Sequence, residues 1–425
     1  MFKILKNRNY LRFWLGQIVS QLGDGFTRIA IVYLVATLTK DPLAIGLVIF
    51  AQLLPTAFFG IFLGPLADKY NRKWLMVGAD FYRMGIVCLM IPFHHSAVAL
   101  IILIAFQGLG SALFDPARSS SIPDLVGEEH IQQAISLSQS TRAAMDIIGP
   151  SAGALLMMTN NYNFIFAIDS VTFAVSALFI LSLRNLGKNK LAAAQSSESY
   201  FSTIGSGVKE VIGMPALRFL LILLMPITLV CGILNTNLIA VLTNEFHVSA
   251  FHFGFIEAAS AVGVIFGAGF AAPYALKKLK PSTIFLLGTA AIGVLMVVII
   301  PLDTLQLLYG IFPVYIWSIM TGVLNAFLNV PLSSIFLKIT PSAFRGRGSS
   351  LLGITASTSS IIGILFGGWL SKEIGVLYGT AISGALLVIV AGFMPFLKGY
   401  KSLSANQQTE SVPESAEPVV NETWG

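Results

Sequence analysis

Hydrophobic residues in this chain come in long blocks rather than in stripes. Twelve mostly apolar stretches follow one another, at roughly 13–39, 43–67, 74–93, 97–120, 131–158, 162–183, 217–243, 252–275, 282–301, 304–337, 349–371 and 374–397. About 20 such residues form a helix long enough to cross the hydrocarbon layer of a bilayer. The pattern therefore predicts an all-α membrane protein with twelve transmembrane helices. The tenth stretch is long and contains Pro313 and Pro331, which predicts a tilt, a kink or an extension past the membrane. A β-barrel is excluded, because its strands would alternate apolar and polar residues over about 10 positions.

Composition agrees. Hydrophobic residues make up 55% of the 425 and charged residues only 11%, where a soluble domain carries about 25% charged residues. The net charge of +6 is read as a topology signal rather than a nucleic-acid surface. With the N-terminus inside, Lys and Arg collect in the even connections and at both ends, while the outer loops hold Lys40 and Lys372. That bias places both termini in the cytoplasm. The basic start (Lys3, Lys6, Arg8, Arg12) is followed by an apolar run that includes Asp24 and is too long for a signal peptide, so it reads as the first span. Cys88 and Cys231 sit in apolar runs, and His94, His95, His247 and His252 fall beside loops, so neither a disulfide framework nor a metal or cofactor site is expected.

The chain repeats itself. GLGSALFDPARSSSIP at 108–123 parallels GVLNAFLNVPLSSIF at 322–336, and IIGPSAGALL at 147–156 parallels IIGILFGGWL at 361–370, both at an offset of about 214 residues. Six spans separate the copies, which predicts two pseudo-symmetric six-helix bundles. The expected domains are residues 1–183, a polar linker at 184–215, residues 216–400, and a disordered tail at 401–425. Gly-x-x-x-Gly recurs at Gly60/Gly64, Gly149/Gly153, Gly263/Gly267 and Gly363/Gly367, once in each set of three spans. Such pairs let helix backbones approach closely. A fifth pair, Gly375/Gly379, lies outside that period.

After the second span the chain reads GPLADKYNRK at 64–73. This resembles the loop signature of the major facilitator superfamily, with Gly64, Leu66, Asp68, Lys69, Arg72 and Lys73 in the matching places. The wider stretch 54–80, together with FDPARSSSIPDLV at 114–126 and GRG within 344–348, looks most like the macrolide-efflux and enterobactin-exporter branch. The resemblance implies a monomeric carrier in a bacterial inner membrane that exports amphipathic small molecules by alternating access. It implies a cytoplasmic gate at Gly64, Asp68, Arg72 and Arg118. It also implies a cavity lined by spans one, four, seven and ten, with Gln17, Gln21, Gln107, Asn235, Asn237, Tyr315, Trp317, Asn325 and Asn329 as its polar and aromatic candidates. The second-half copy of the loop, APYALKKLKPS at 272–282, has Leu276 in place of the aspartate, so the gate should be asymmetric. Gly149, Pro150 and Gly153 match part of the antiporter signature. A lysophospholipid carrier, suggested by Gly23-Asp24, and uptake of a nutrient or iron-siderophore are the alternatives.

Charges within spans are costly and should face the bundle interior and pair. Asp24 and Arg28 are spaced i,i+4, as are Arg142 and Asp146, a spacing that allows pairing on one helix face. These four and Glu257 are the candidates for coupling to protons, the alternative being fixed ion pairs that hold helices together. Asp80, Arg83 and Asp115 are assigned to the cytoplasmic network, and Asp169 to span six. No Gly-x-x-x-x-Gly-Lys-Ser/Thr loop or nucleophile cluster occurs, so an ATP-driven or enzymatic chain is not expected. Energy would come from an ion gradient, the substrate gradient or a partner.

Overall fold

The computed structural model describes residues 2–183, 213–341, 345–397 and 399–400, and no strand occurs among them. The linker at 184–212 and the tail from 401 lie outside the described residues. The first half holds α1 (Arg8–Thr39), α2 (Pro42–Lys69), α3 (Arg72–Phe93), α4 (Ala97–Val126), α5 (Ile131–Leu156) and α6 (Tyr162–Leu181). The second holds α7 (Pro215–Ala240, continued by a wide turn at Val241–Glu245) and α8 (Ala250–Lys278, widened at Gly267–Ala271). It continues with α9 (Pro281–Val297), α10 (Ile299–Tyr309), α11 (Phe312–Ile339), α12 (Arg345–Ile374) and α13 (Val376–Phe393).

Local chemistry sets the ends. Side-chain oxygens of Asn7, Asn71, Ser96, Asn161 and Ser249 accept backbone N–H groups at five helix starts. The tenth span departs from expectation. Its helix begins at Phe312, not 304, because Gly310 takes a φ of 67° and Pro313 fits the first turn, where its missing N–H is not needed. Pro331 lies inside a continuous helix. The preceding α10 continues α9 with a bend of 53°.

Among the described residues nine helices are long and apolar enough to cross a membrane, or ten with the bent α9–α10 pair. The twelve-span expectation further requires α2 and α5, helices of 28 and 26 residues. In α2 the sequence is apolar from Pro42 through 63, apart from Gln52 and Thr56. In α5 the first half is polar. Large apolar side chains such as Phe270, Leu307, Phe312 and Phe393 are exposed, the ordinary state of a surface that faces lipid.

The halves repeat each other in three dimensions. In the first, α1 packs on α5 and α6, α4 on α2 and α3, and α3 on α6. In the second, α7 packs on α12 and α13, α11 on α8 and α9, and α9 on α13. The halves meet through α2 against α12 and α5 against α8, which exchange under the same repeat. The glycine pairs serve this packing. Gly149 lies against Gly25, Gly153 against Phe26, Gly263 against Ile319, and Gly363 against the Leu229 carbonyl, leaving no room for a β-carbon.

Buried apolar side chains form three clusters, and their placement fixes the shape. One draws on both halves, with Ile31, Val35, Val48 and Phe166 from the first and Leu242, Phe253, Trp317 and Val376 from the second. It lies at the end that carries the α1–α2, α5–α6 and α7–α8 loops. At the opposite end each half has its own core: Tyr10, Phe13, Met76, Phe114 and Ile180 in one, Leu217, Phe285, Ile335 and Leu387 in the other. The molecule is therefore joined at one end and divided at the other. At the joined end the Tyr33 hydroxyl donates to the Val248 carbonyl (3.3 Å) and the Asn244 amide to the Lys40 carbonyl (3.0 Å). Lys372 pairs there with Asp41 at 2.9 Å. Gly254 sits so close to Ala154 that a β-carbon would come within 2.6 Å of its carbonyl oxygen.

Candidate functional site: a charged cavity in the first half

Helical spacing gathers polar residues on inward faces. On α1, Gln17, Ser20, Gln21, Asp24 and Arg28 recur every three or four positions, as do Ile104, Gln107, Ser111, Asp115 and Arg118 on α4. With Gln52, Leu53, Arg83, Arg142, Met145 and Asp146 they line a cavity of about 210 Å³. A second recess of about 480 Å³ shares Leu53 and is lined by Thr228, Cys231, Ala356, Ser357, Ser360 and Ile361 of α7 and α12. One wall is thus charged, and the other apolar with a few hydroxyls.

The expected pairings along each helix do not form. Asp24 turns away from Arg28, accepting from the Gln107 amide (3.0 Å) and lying 3.6 Å from Arg83 of α3. Arg28 instead approaches Asp146 at 4.0 Å, and Arg142 approaches Asp115 at 3.7 Å. Facing helices supply closer carboxylates than the next turn of the same helix, and a pair formed between helices also joins them. Arg118 is held on this wall by Asp115 (3.2 Å), Ser138 (3.0 Å) and Gln17 (3.4 Å). Asp115 therefore faces the cavity rather than the loop network.

Arg83 is the centre of a dry cluster. Its side chain is 4% exposed, pairs with the fully buried Asp80, and lies 4.5 Å from the ring centres of Phe114 and Phe173. Sequence reasoning set Arg83 in span three but assigned it, with Asp80, to the cytoplasmic network. Depth along the helices was the available signal: at 1.5 Å per residue, Arg83 on α3, Asp24 on α1 and Asp169 on α6 all lie well inside their spans. Asp169 is fully buried and accepts from the Thr27 and Thr172 hydroxyls. Glu257 is partly buried on α8, with no hydrogen-bond or ion-pair partner among the described residues.

The other sequence candidates divide. Gln17, Gln21 and Gln107 line the cavity, and each has a buried polar atom without a partner. Trp317 does not belong there: it is buried and donates its indole N–H to the Leu295 carbonyl of α9 (2.9 Å). Asn237 is fully buried with both amide atoms unpartnered, and Tyr315 bonds His252 at 2.8 Å. Asn235 is exposed, as are Asn325 and Asn329, which bond each other at 2.7 Å. Of the gate residues, Arg72 pairs with Asp124 (2.9 Å) and bonds the Ser120 carbonyl (2.7 Å). Gly64 and Asp68 fall at 60–69, where only the helical backbone is among the described features.

Comparison with known proteins places this arrangement. The chain is 24% identical over 398 residues to macrolide efflux protein A of Streptococcus pyogenes, covering 92% of this chain and 96% of that one. It is 24% identical over 419 residues to the enterobactin exporter EntS of Citrobacter koseri, covering 95% and 94%. Its fold matches the crystal structure of a bacterial homologue of the iron transporter ferroportin in an inward-facing state, with a TM-score of 0.69 at 15% identity, covering 94% and 99%. The sequence model of the Major Facilitator Superfamily matches residues 13–312 and 220–424. The repeated helix pairing and the matched length agree: this multi-pass membrane protein belongs to the major facilitator superfamily of transporters.

Proposed function

We propose that the protein is a secondary active transporter that exports amphipathic small molecules, drug-like macrolides or siderophores, in exchange for protons. The observation that carries the reading is the division of the cores. A shared core at one end and separate cores at the other describe one of the two states that alternating access requires, with the charged cavity on the divided side. The positive-inside bias makes that side cytoplasmic. Twelve spans, both termini in the cytoplasm, and a monomer of two bundles (1–183 and 216–400, joined by 184–215) complete the assignment. The charged first-half wall and the apolar second-half recess suit a cargo with polar and greasy faces. The names of the macrolide and enterobactin exporters support the direction and the class of cargo.

Asp24 and Glu257 are the proposed coupling acids. Asp24 faces the cavity and shares Arg83 with Asp80, so rearrangement of α3 against α1 would change its counter-charge. Glu257 lies on the opposite half, within the field of Arg28. The gate at Gly64, Asp68, Arg72 and Arg118 would close the cytoplasmic end when the cavity opens outward.

The test is transport in proteoliposomes with an imposed pH gradient. A macrolide and enterobactin serve as cargoes, and both gradient directions are measured. The gradient should drive uphill movement of at least one of them, and Asp24→Asn should remove that drive. Movement indifferent to the gradient would remove the coupling assignment, and movement of neither cargo would remove the cargo class.

A further inference from the structure

The guanidinium groups on the cavity wall are unequally occupied. Arg83 is enclosed by Asp80, Asp24 and two rings. Arg118 is 12% exposed and holds a carboxylate, a hydroxyl and an amide oxygen. Arg142 differs: its side chain is 51% exposed, and among the described residues its partner is the second oxygen of Asp115 at 3.7 Å, a distance too long for a hydrogen bond. Arg28 is 39% exposed and reaches Asp146 at 4.0 Å and its carbonyl at 3.4 Å. Asp115 thus serves two arginines, and Asp146 is itself 60% exposed. The lining carries Arg28, Arg83, Arg118 and Arg142 against Asp24, Asp115 and Asp146, and Asp80 behind Arg83 balances the fourth arginine, so what sets this wall apart is the loose hold on two of its guanidiniums rather than a net charge.

Arg142 and Asp146 are one turn apart on α5, and Arg28 faces them from α1. The two loosely held guanidiniums therefore lie on either side of one exposed carboxylate on a shared wall. Such long, exposed ion pairs contribute little and exchange readily. A guanidinium presents a planar fork that fits two oxygens of a carboxylate or phosphate at once. We propose that Arg28 and Arg142 bind an oxyanion of the transported molecule, a carboxylate or phosphate, which displaces Asp146 from Arg28 and occupies the free donors of Arg142. This rests on the export reading for the identity of the cavity, and it narrows the cargo to molecules with an anionic polar end. The side chains of Gln21 and Gln107 lie on the same wall, their amide oxygens buried and without a partner.

The proposal is tested by equilibrium binding to the full chain in phosphatidylcholine nanodiscs. The probes share one ring system: 1-naphthoate, 1-naphthyl phosphate, neutral 1-naphthamide and cationic 1-naphthylmethylamine. The anions should bind about tenfold or more tightly than the amide, the preference that one charge-assisted contact supplies. Arg142→Gln and Arg28→Gln should each abolish that preference, and Arg142→Lys should keep part of it. Thermal unfolding of each variant checks that it is folded. Replacing part of the phosphatidylcholine with phosphatidylglycerol separates the sources: competition with naphthoate assigns the oxyanion to a lipid headgroup, and its absence assigns it to a soluble cargo. Equal binding of the amide, tighter binding of the amine, no saturable binding of the anions, or folded Gln variants that retain the preference would each overturn the proposal. The assay needs no gradient. Loss of anion preference alongside proton-driven export would defeat this inference alone, and the converse would defeat the coupling reading alone.

Discussion

Arg83 stands 3.6 Å from Asp24 while pairing, on its own helix, with the fully buried Asp80. One guanidinium thus joins α3 to α1 and neutralises a carboxylate that has no access to solvent. Replacing Arg83 with Gln should strand that carboxylate and destabilise the protein by about 3–5 kcal/mol. Thermal unfolding in nanodiscs measures the loss. The double variant Asp80→Asn/Arg83→Gln should recover much of it, and a double variant no better than the single would show that the stacking on Phe114 and Phe173 dominates instead.

Among the described residues the carboxylate of Asp169 has no cation as a hydrogen-bonding partner, and it accepts from the hydroxyls of Thr27 and Thr172. The two hydroxyls donate to different carboxylate oxygens, and an asparagine keeps one as an acceptor while its N–H can donate to the other hydroxyl, so Asp169→Asn should change stability by less than about 1 kcal/mol. Asp169→Leu leaves the Thr27 hydroxyl without its acceptor, while Thr172 keeps the backbone carbonyl of residue 169 (2.7 Å), and should cost about 1–3 kcal/mol. Unfolding midpoints of the two variants would be compared, and equal values would contradict the assigned hydrogen bonds.

Glu257 should separate stability from coupling. Its carboxyl has no hydrogen-bond or ion-pair partner among the described residues, so Glu257→Gln should unfold within about 1 kcal/mol of the parent protein. The same variant should lose the pH-gradient dependence of transport in proteoliposomes. A variant that kept full gradient dependence would return Glu257 to a passive role.

Gly254 against Ala154 offers a steric test of the two-state reading. A β-carbon at position 254 would come within 2.6 Å of a backbone oxygen of the other half, so Gly254→Val should wedge the joined end apart. The divided end should then close. Spin labels at positions 70 and 279, both exposed, in a background lacking Cys88 and Cys231, should report a shorter mean distance in the variant. An unchanged distance distribution would count against rocking about this contact.

Much of the fold was legible because lipid imposes a simple code. Apolar blocks marked the spans, and the 214-residue offset between IIGPSAGALL and IIGILFGGWL marked the repeat that places Gly149 against Gly25 and Gly363 against Leu229. The partners of the charges were not legible. Spacing of i,i+4 suggested Asp24 with Arg28 and Arg142 with Asp146, but spacing describes a single helix, and the closer partners came from neighbouring ones. Trp317 misled for a related reason: a polar atom in a span must bond to something, and a carbonyl of α9 served as well as a cargo. The turn before α11 was obscured because the largely apolar residues 305–309 and those from 311 onward flank a single glycine, Gly310.

The contacts that hold the halves together at the joined end are backbone-to-backbone glycine approaches, one tyrosine hydroxyl, one asparagine amide and one exposed ion pair. Apart from the apolar core behind them, these are the materials of a transient dimer interface. A latch of this kind sets the resting pose of the machine. Substitutions selected only for a higher melting temperature would tend to strengthen it, and such variants should be long-lived in detergent yet slow in turnover.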